Sequence, residues 1–544
     1  MKSLYATFSC LCFLFSWPGP AQQATLLLAT PAPSTREITF QEDTPALQRI
    51  AAAKQQIASD PKRAQAYNEL AIAFLRRTRE TADPKYLKDA DAALAQGLKL
   101  DATDFQLQKT QVALMLSRHQ FNEARELALA LHRRMPDDVM TYGYIAEADI
   151  ALGSYSEAET NAQWMMNMRP NNTPALLVGA TLRALYGDVR GAIEFLNIAY
   201  SQTSPIEVEE LAWIANQIAT LQIDSGQNDA AAETLEQAEH LFPRYPYTME
   251  NLARVRMSQH RFKDAVQQWT NTAHVDFDPH VLYELAAAQA AAGQSQEAGA
   301  TLANFERLAS APETATDNSK LDLILMYADS PATSPKALRL ARQAIQARQD
   351  VWTLDAYAWA LYTNGQYQQA NVAIQRAIAV GIQSSQIFDH AGHIAQKLGL
   401  SVDATKYFQL SLQTDPHFVP GAVGHDDQQK TPHIESAPTG IYGDAPSQPS
   451  PDPGHITSTV DVGKTAIPVF APVPEALLTP QPTVTAHAIR TAQGTVARNP
   501  KDASAYATLG AAYFQRARET GDISDYQLAE ESLNKSLDLV SADF

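Results

Sequence analysis

A turn-forming residue recurs in this chain at a nearly constant stride, and that stride limits the fold more than any other feature. His119, Gly153 and Gly187 are 34 residues apart. Gly226 follows after 39, His260 after 34 and Gly293 after 33; Gly365 and Gly399 are again 34 apart. From about residue 46 to 418 the chain between these marks is rich in Ala, Leu, Gln and Glu, residues that favour helix. Each stride therefore predicts two amphipathic helices of about 14 residues joined by a short turn. A single hairpin of this kind cannot bury its own apolar face, so neighbours must stack.

The side chains around each turn repeat as well. In the unit beginning at Val139, Tyr142, Ile145, Ala146 and Asp149 lie on the first helix, Gly153 and Tyr155 at the turn, and Ala158, Ala162 and Met165 on the second helix; Pro170 ends the unit. Ala146 and Ala158 are small where two helices must approach closely, and proline cannot continue a helix. The register returns at Ala219, Gly226, Ala231, Leu235, Ala238 and Pro243, and again at Gly392, Gly399, Ala404, Phe408 and Pro416. The unit around Tyr327, Ala337 and Ala344 is degenerate, with Asp329, Ser330 and Pro331 in place of the turn. This pattern resembles the tetratricopeptide repeat family over about ten consecutive units, some 70% of the chain. The resemblance implies an all-α fold, a right-handed α-solenoid of helix–turn–helix repeats with a concave, ligand-facing groove.

The opening unit differs from the rest. Its first helix is expected to run past the usual turn through residues 76–81, with Asp83 and Pro84 starting the next helix. Residues 484–544 align with 45–105 without a gap. Pro61 matches Pro500, Tyr67 matches Tyr506, Leu70 matches Leu509, Asp83 matches Asp522, Ala90 matches Ala529, Leu94 matches Leu533 and Phe105 matches Phe544. The chain is thus expected to hold an array over 45–418 and the start of a second array over 484–544. Between them, residues 419–483 carry 12 of the 31 prolines and read as a Pro-rich flexible linker.

The N-terminus carries an address. Residues 1–21 read as a secretory signal peptide, with Lys2 as the positive start, an apolar stretch from Leu4 to Trp17, and small residues before cleavage ahead of Gln22. Residues 22–44 follow as a polar tether. The expected location is exported, periplasmic or secreted; lipidation at Cys10 is a weaker rival. The two cysteines, Cys10 and Cys12, both fall in the leader, so a mature chain beginning at Gln22 has no thiol for a disulfide, a cysteine–zinc site or a cysteine nucleophile. No later segment reaches the roughly 18 apolar residues of a membrane span. The formal charge of −18 argues against nucleic-acid binding, which depends on clustered basic residues.

No phosphate-cradling loop, zinc-protease pair or nucleophile elbow occurs, so no enzyme and no cofactor are expected. Two histidine groups suggest metal ligands: His274, Asp276, Asp278 and His280 in one loop, and His390 with His393 one turn apart on a helix. Asp278 followed by Pro279 is an ordinary helix start, and the second pair lacks a third ligand. A third group, His425, Asp426, Asp427 and His433, lies in the linker. No metal is expected.

The family's groove-lining positions, carried over through the resemblance, fall on Trp213, Asn216, Tyr247, Glu250, Arg254, Tyr283, Trp352, Asp355, Trp359 and Tyr362. As an exposed aromatic and polar wall they would suit a peptide or partner helix; as inter-repeat packing they would not. The family's Lys/Asn/Arg carboxylate clamp is not supplied at these positions. The expected function is a protein–protein interaction scaffold with protein partners and possible self-association through the C-terminal repeat. The alternative is the N-terminal recruitment region of a larger exported protein, an enzyme or an outer-membrane export component, truncated at residue 544.

Overall fold

The structure is a computed structural model and describes residues 44–311, 319–416, 418, 484–499, 501–520 and 523–541. The leader, the linker over 419–483 and all but the last residue of the tether lie outside the described residues, as does the linker histidine group. The described residues hold 24 α-helices and no strand. They fall into two compact units, an array and a C-terminal trio of helices.

In the array, α1 (Pro45–Ser59) precedes ten hairpins. The first five are α2 (Ala64–Thr81) with α3 (Lys85–Leu100), α4 (Phe105–Ser117) with α5 (Phe121–Arg134), α6 (Val139–Ala151) with α7 (Tyr155–Met168), α8 (Thr173–Leu185) with α9 (Val189–Gln202), and α10 (Val208–Asp224) with α11 (Asn228–Leu241). The next are α12 (Pro246–Ser258) with α13 (Phe262–Thr272), α14 (Pro279–Ala291) with α15 (Ser295–Ala309), α16 (Ser319–Ala328) with α17 (Ser334–Ala347), α18 (Val351–Thr363) with α19 (Tyr367–Ile378), and α20 (Ser385–Lys397) with α21 (Ser401–Thr414). Each helix packs on its hairpin partner and on the helix that follows. The result is a tetratricopeptide-like α-solenoid.

The stride residues owe their place to backbone geometry. Gly153 sits at φ +77°, a region that other L-residues enter at a steric cost, while His119 and His260 adopt +56° and +54° at the equivalent turns. The hairpins close around small side chains. Ala146, Ala158, Ala162, Ala231 and Ala238 are completely buried. At Gly392 even a methyl group would stand 2.5 Å from the ring of Phe408, so glycine there lets the second helix come in. First helices start on side-chain caps: Asp104 accepts from Leu107 N at 2.8 Å, Asn172 from Ala175 N at 2.9 Å, and Asp350 from Trp352 N and Thr353 N at 3.1 Å each. The degenerate unit has the shortest first helix of the array, the ten residues of α16.

The second unit comprises α22 (Val484–Arg498), α23 (Ala503–Thr520) and α24 (Ile523–Ser541). Its small core gathers Ile489, Leu509, Tyr513 and Ala529.

Candidate functional site: the inner wall of the array

The first helices, α2 to α20 in even numbers, carry the groove positions, and the structure closes over them. Of the ten named residues, only Tyr247 and Tyr362 are even half-buried; Trp213, Asn216, Glu250, Arg254, Tyr283, Trp352, Asp355 and Trp359 are buried, none above 8% exposed. The open contact wall expected from the sequence is therefore replaced by a packed, hydrogen-bonded interior. Two kinds of contact cause this.

The first runs between neighbouring first helices. Asn216 on α10 donates to Thr248 Oγ1 at 2.8 Å and accepts from Asn251 of α12 at 3.0 Å. Arg254 donates to Asn251 Oδ1 at 2.9 Å and pairs with Asp224 at 2.6 Å. Farther along, Asp355 of α18 accepts from Gln386 at 2.8 Å and meets His390 Nδ1 at 2.7 Å, both on α20. Trp359 stacks between His390, with ring centroids 4.1 Å apart, and Tyr362 at 4.8 Å, while its indole N–H donates to Asp329 at 3.2 Å. Tyr283 is covered instead from within its own hairpin, where its ring lies 5.2 Å from that of Phe305 on α15.

The second kind joins distant parts of the array, because the coil returns on itself. The extended end of α2 supplies Arg76, which reaches Glu207 at 3.0 Å and Glu210 at 3.4 Å, and Arg79, which clasps Glu209 through Nε at 3.0 Å and Nη2 at 2.5 Å. Arg49 adds a 2.5 Å bond to Glu207. Glu209 also accepts from Tyr245 at 2.7 Å, and Arg79 lies 5.8 Å from the Trp213 ring centre. Farther along, Gln349 N donates to Ala151 O at 2.8 Å, and Val351 N donates to the Tyr155 hydroxyl at 3.1 Å across 196 residues of sequence. At Gly187 an added Cβ would stand 2.7 Å from the carbonyl oxygen of Gly381. Ile150, Tyr155 and Leu185 accordingly pack into the core of the C-terminal half of the array.

Burial of so many charges shifts their protonation. Burial pushes the Glu210 carboxyl up to about 7, with Arg79 pulling it back and Glu209 and Glu207 pushing it further. Burial raises Asp224 to about 6 against the pull of Arg254. Asp276 is held well above its ordinary value by burial and by Glu250, to which it hydrogen-bonds. Burial alone would lower His280, but Asp322 at 2.7 Å outweighs it and the imidazole is pushed up to about 10. The loop group suspected of metal ligation is thus shared out. Asp276 turns to Glu250, Asp278 caps α14 by accepting from His280 N at 2.9 Å, and His280 turns to Asp322. In the helical pair, His390 turns to Asp355 and His393 lies 3.7 Å from Asp389. Among the described residues no group of three His, Asp or Glu side chains is placed to hold a metal.

Sequence reasoning missed the acidic triplet Glu207, Glu209 and Glu210 and its arginine partners. The visible signal was the run of arginines on the extended α2: Arg77 is met within its own hairpin by Glu80 and the Tyr86 ring, whereas Arg76 and Arg79 reach out of it.

No family model and no curated protein matches the chain. Solved structures with similar arrangements include the APC/C hetero-tetramer Cut9–Hcn1, at 14% identity and TM-score 0.38 over 67% of this chain; the match spans 59% of that chain's length. They include a human IFIT1 dimer with PPP-AAAA, at 12% identity and TM-score 0.40 over 68% of this chain and 86% of that one. A tetratricopeptide repeat protein from Parabacteroides merdae matches at 14% identity and TM-score 0.33 over 44% and 91% of the two chains. Values this low carry no inference about function. What the chain is similar to is an array of helical hairpins, and its description as a tetratricopeptide-like solenoid rests on its own repeat geometry.

Proposed function

We propose that this chain is a non-enzymatic, exported protein–protein interaction scaffold that binds partners through the outside of its coil rather than through the groove. The observation that carries this reading is a pair of exposed apolar side chains in register. Trp164 is the tenth residue of α7 and Ile198 the tenth residue of α9; they are 54% and 37% exposed. Single exposed apolar residues are ordinary on protein surfaces. Two at one position of consecutive second helices make a strip that suits the apolar face of a partner helix or peptide. Export rests on the leader at residues 1–21.

A photo-crosslinking amino acid at position 164, in cells, tests the surface. A discrete crosslinked partner that disappears when Ile198→Glu is added supports the strip. Equal crosslinking from a polar position of the same register, such as Gln237 on α11, would sink it. Mass spectrometry of the mature N-terminus tests export, with Gln22 as the expected first residue.

A second reading, recruitment for a larger exported protein with an enzyme or export component, is favoured by one observation. On α24 Leu533 and Leu537 are 40% and 65% exposed, a face that suits a further helix.

A further inference from the structure

Two second helices of the array carry one face with opposite charge. Counted from its first residue, α17 has Arg339 at position six, Arg342 at nine and Gln343 at ten. At the same positions α11 has Glu233, Glu236 and Gln237. All six residues are exposed. Residues three apart share a helix face, so each helix presents a like-charged pair beside a glutamine. The array's other second helices have at most one charge at positions six and nine: Glu126 on α5, Glu194 on α9 and Lys406 on α21.

Little within the chain answers these charges. With a net charge of −18, a surface cation has many carboxylates to meet, and several cations meet one: Arg118 pairs with Asp91, Arg190 with Glu194 and Arg261 with Asp264. Arg339 makes no hydrogen bond, ion pair or ring contact among the described residues. Arg342 reaches the neutral amide of Gln366 at 3.5 Å. α17 contains no Asp or Glu, and Lys336 precedes Arg339 by one turn; Lys336 lies 3.6 Å from Glu306 of α15. Glu233 and Glu236 likewise have no partner among the described residues, and α11 contains no Lys or Arg. A lone solvated charge is ordinary on a surface. A second helix that repeats the face with its signs reversed is a complement.

We propose that the α17 face of one molecule docks on the α11 face of a second copy. Positions six and nine are about 4.5 Å apart along a helix axis. Two helices side by side therefore align both Arg–Glu pairs, six to six when parallel and six to nine when antiparallel. Exposed ion pairs contribute little each, so the contact is weak and charge complementarity selects its partner. The whole-chain charge of −18 opposes it at long range. At about 0.1 M salt, however, fields fade over about 10 Å, and the facing groups decide. Each molecule carries both faces, so one contact leaves a face of each sign free and association can continue head to tail. This surface is separate from the Trp164–Ile198 strip and does not depend on it.

The test uses the full chain in sedimentation velocity, up to about 100 μM protein, in about 0.1 M and about 0.5 M salt. The sedimenting mass should rise with concentration at the lower salt and fall back at the higher. Arg339→Glu with Arg342→Glu leaves two acidic faces, and Glu233→Arg with Glu236→Arg leaves two basic ones. Each double variant alone should associate at least tenfold more weakly than the parent. Mixed one to one they should associate again, because every face then meets its complement; misfolding cannot produce that rescue. Should a reversal fail to fold, the milder Arg339→Gln with Arg342→Gln should still weaken association at least threefold. The proposal is overturned if association ignores salt, if a double variant associates as the parent does, or if the mixture stays apart. A parent that stays monomeric also overturns it, and binding of a polyglutamate peptide to α17 in that case would assign the face to a foreign acidic partner.

Discussion

The segments 45–105 and 484–544 share one pattern, yet the structure gives their third helices opposite surroundings. On α3, Leu94 is 4% exposed and Leu98 packs against the array core. A methyl group at Gly97 would stand 2.5 Å from Leu107 of α4; that is how closely the next hairpin presses on it. On α24 the counterparts Leu533 and Leu537 stand 40% and 65% exposed, and the counterpart of Gly97 is Ser536, whose hydroxyl bonds Ala503 O at 2.7 Å. Gln515 occupies the position of Arg76. The same hairpin is thus covered by its neighbours in one context and leaves its apolar face exposed in the other. Helix pairs of this size draw most of their stability from neighbours rather than from themselves.

The most severe test of this contrast separates the two units. An isolated 484–544 segment should show weak helicity and association that grows with concentration, because so few helices bury too little surface, whereas 45–418 should unfold cooperatively. Circular dichroism with sedimentation decides, and a stably folded monomeric 484–544 would break the comparison. Next in size, Arg79→Met strands the buried Glu209 carboxylate and should destabilise the array by about 3–5 kcal/mol, measured by denaturant unfolding. The comparison sharpens with a matched pair. Leu94→Ala should cost about 2–5 kcal/mol, while Leu533→Ala, at an exposed site, should change stability by less than about 0.5 kcal/mol; equal costs would show that α24 is covered after all. Within the array, Ala158→Leu should overpack one hairpin at about 1–3 kcal/mol.

The smallest expected effect is on pH. Glu210 and Asp224, raised to about 7 and about 6, hold protons in the folded state that the unfolded chain has already released. Their ionisation therefore works against folding. This cost is absent below the ordinary carboxylate range and is fully felt once the pH has risen through the folded values. The unfolding midpoint of the array should accordingly fall between pH 5.5 and pH 7.5, and Glu210→Gln should flatten the trend. A midpoint that rises over this interval would contradict the assignment. His280 acts in the same direction over a higher range: with its folded value pushed up to about 10, its contribution is full below the ordinary imidazole range and declines as the pH rises from there through that value.

Much of the fold was legible because the deciding contacts are local. A left-handed turn at Gly153 and a close approach at Ala146 and Ala158 are set within one hairpin, and sequence spacing records them. The groove positions were also legible as a face: Asn216, Arg254, Asp355 and Trp359 do lie on the first helices. Their exposure was not legible, since it depends on how each hairpin's rotation accumulates until the chain meets itself. The bond from Arg76 to Glu207 spans 131 residues, and no periodicity of 34 announces it. For the same reason the group at residues 274–280 suggested a metal site, because the partners that claim it, Glu250 and Asp322, lie outside that loop on neighbouring helices.

The bond from Gln349 to Ala151 has a mechanical consequence. An open solenoid behaves under load as a soft spring, lengthening as its pitch changes and then shedding one hairpin at a time from a free end. Here the windings are stitched to one another, and the spring cannot lengthen until those stitches part. Pulled from its ends, the array should resist at small extension, yield in one large step as the windings separate, and only then become compliant.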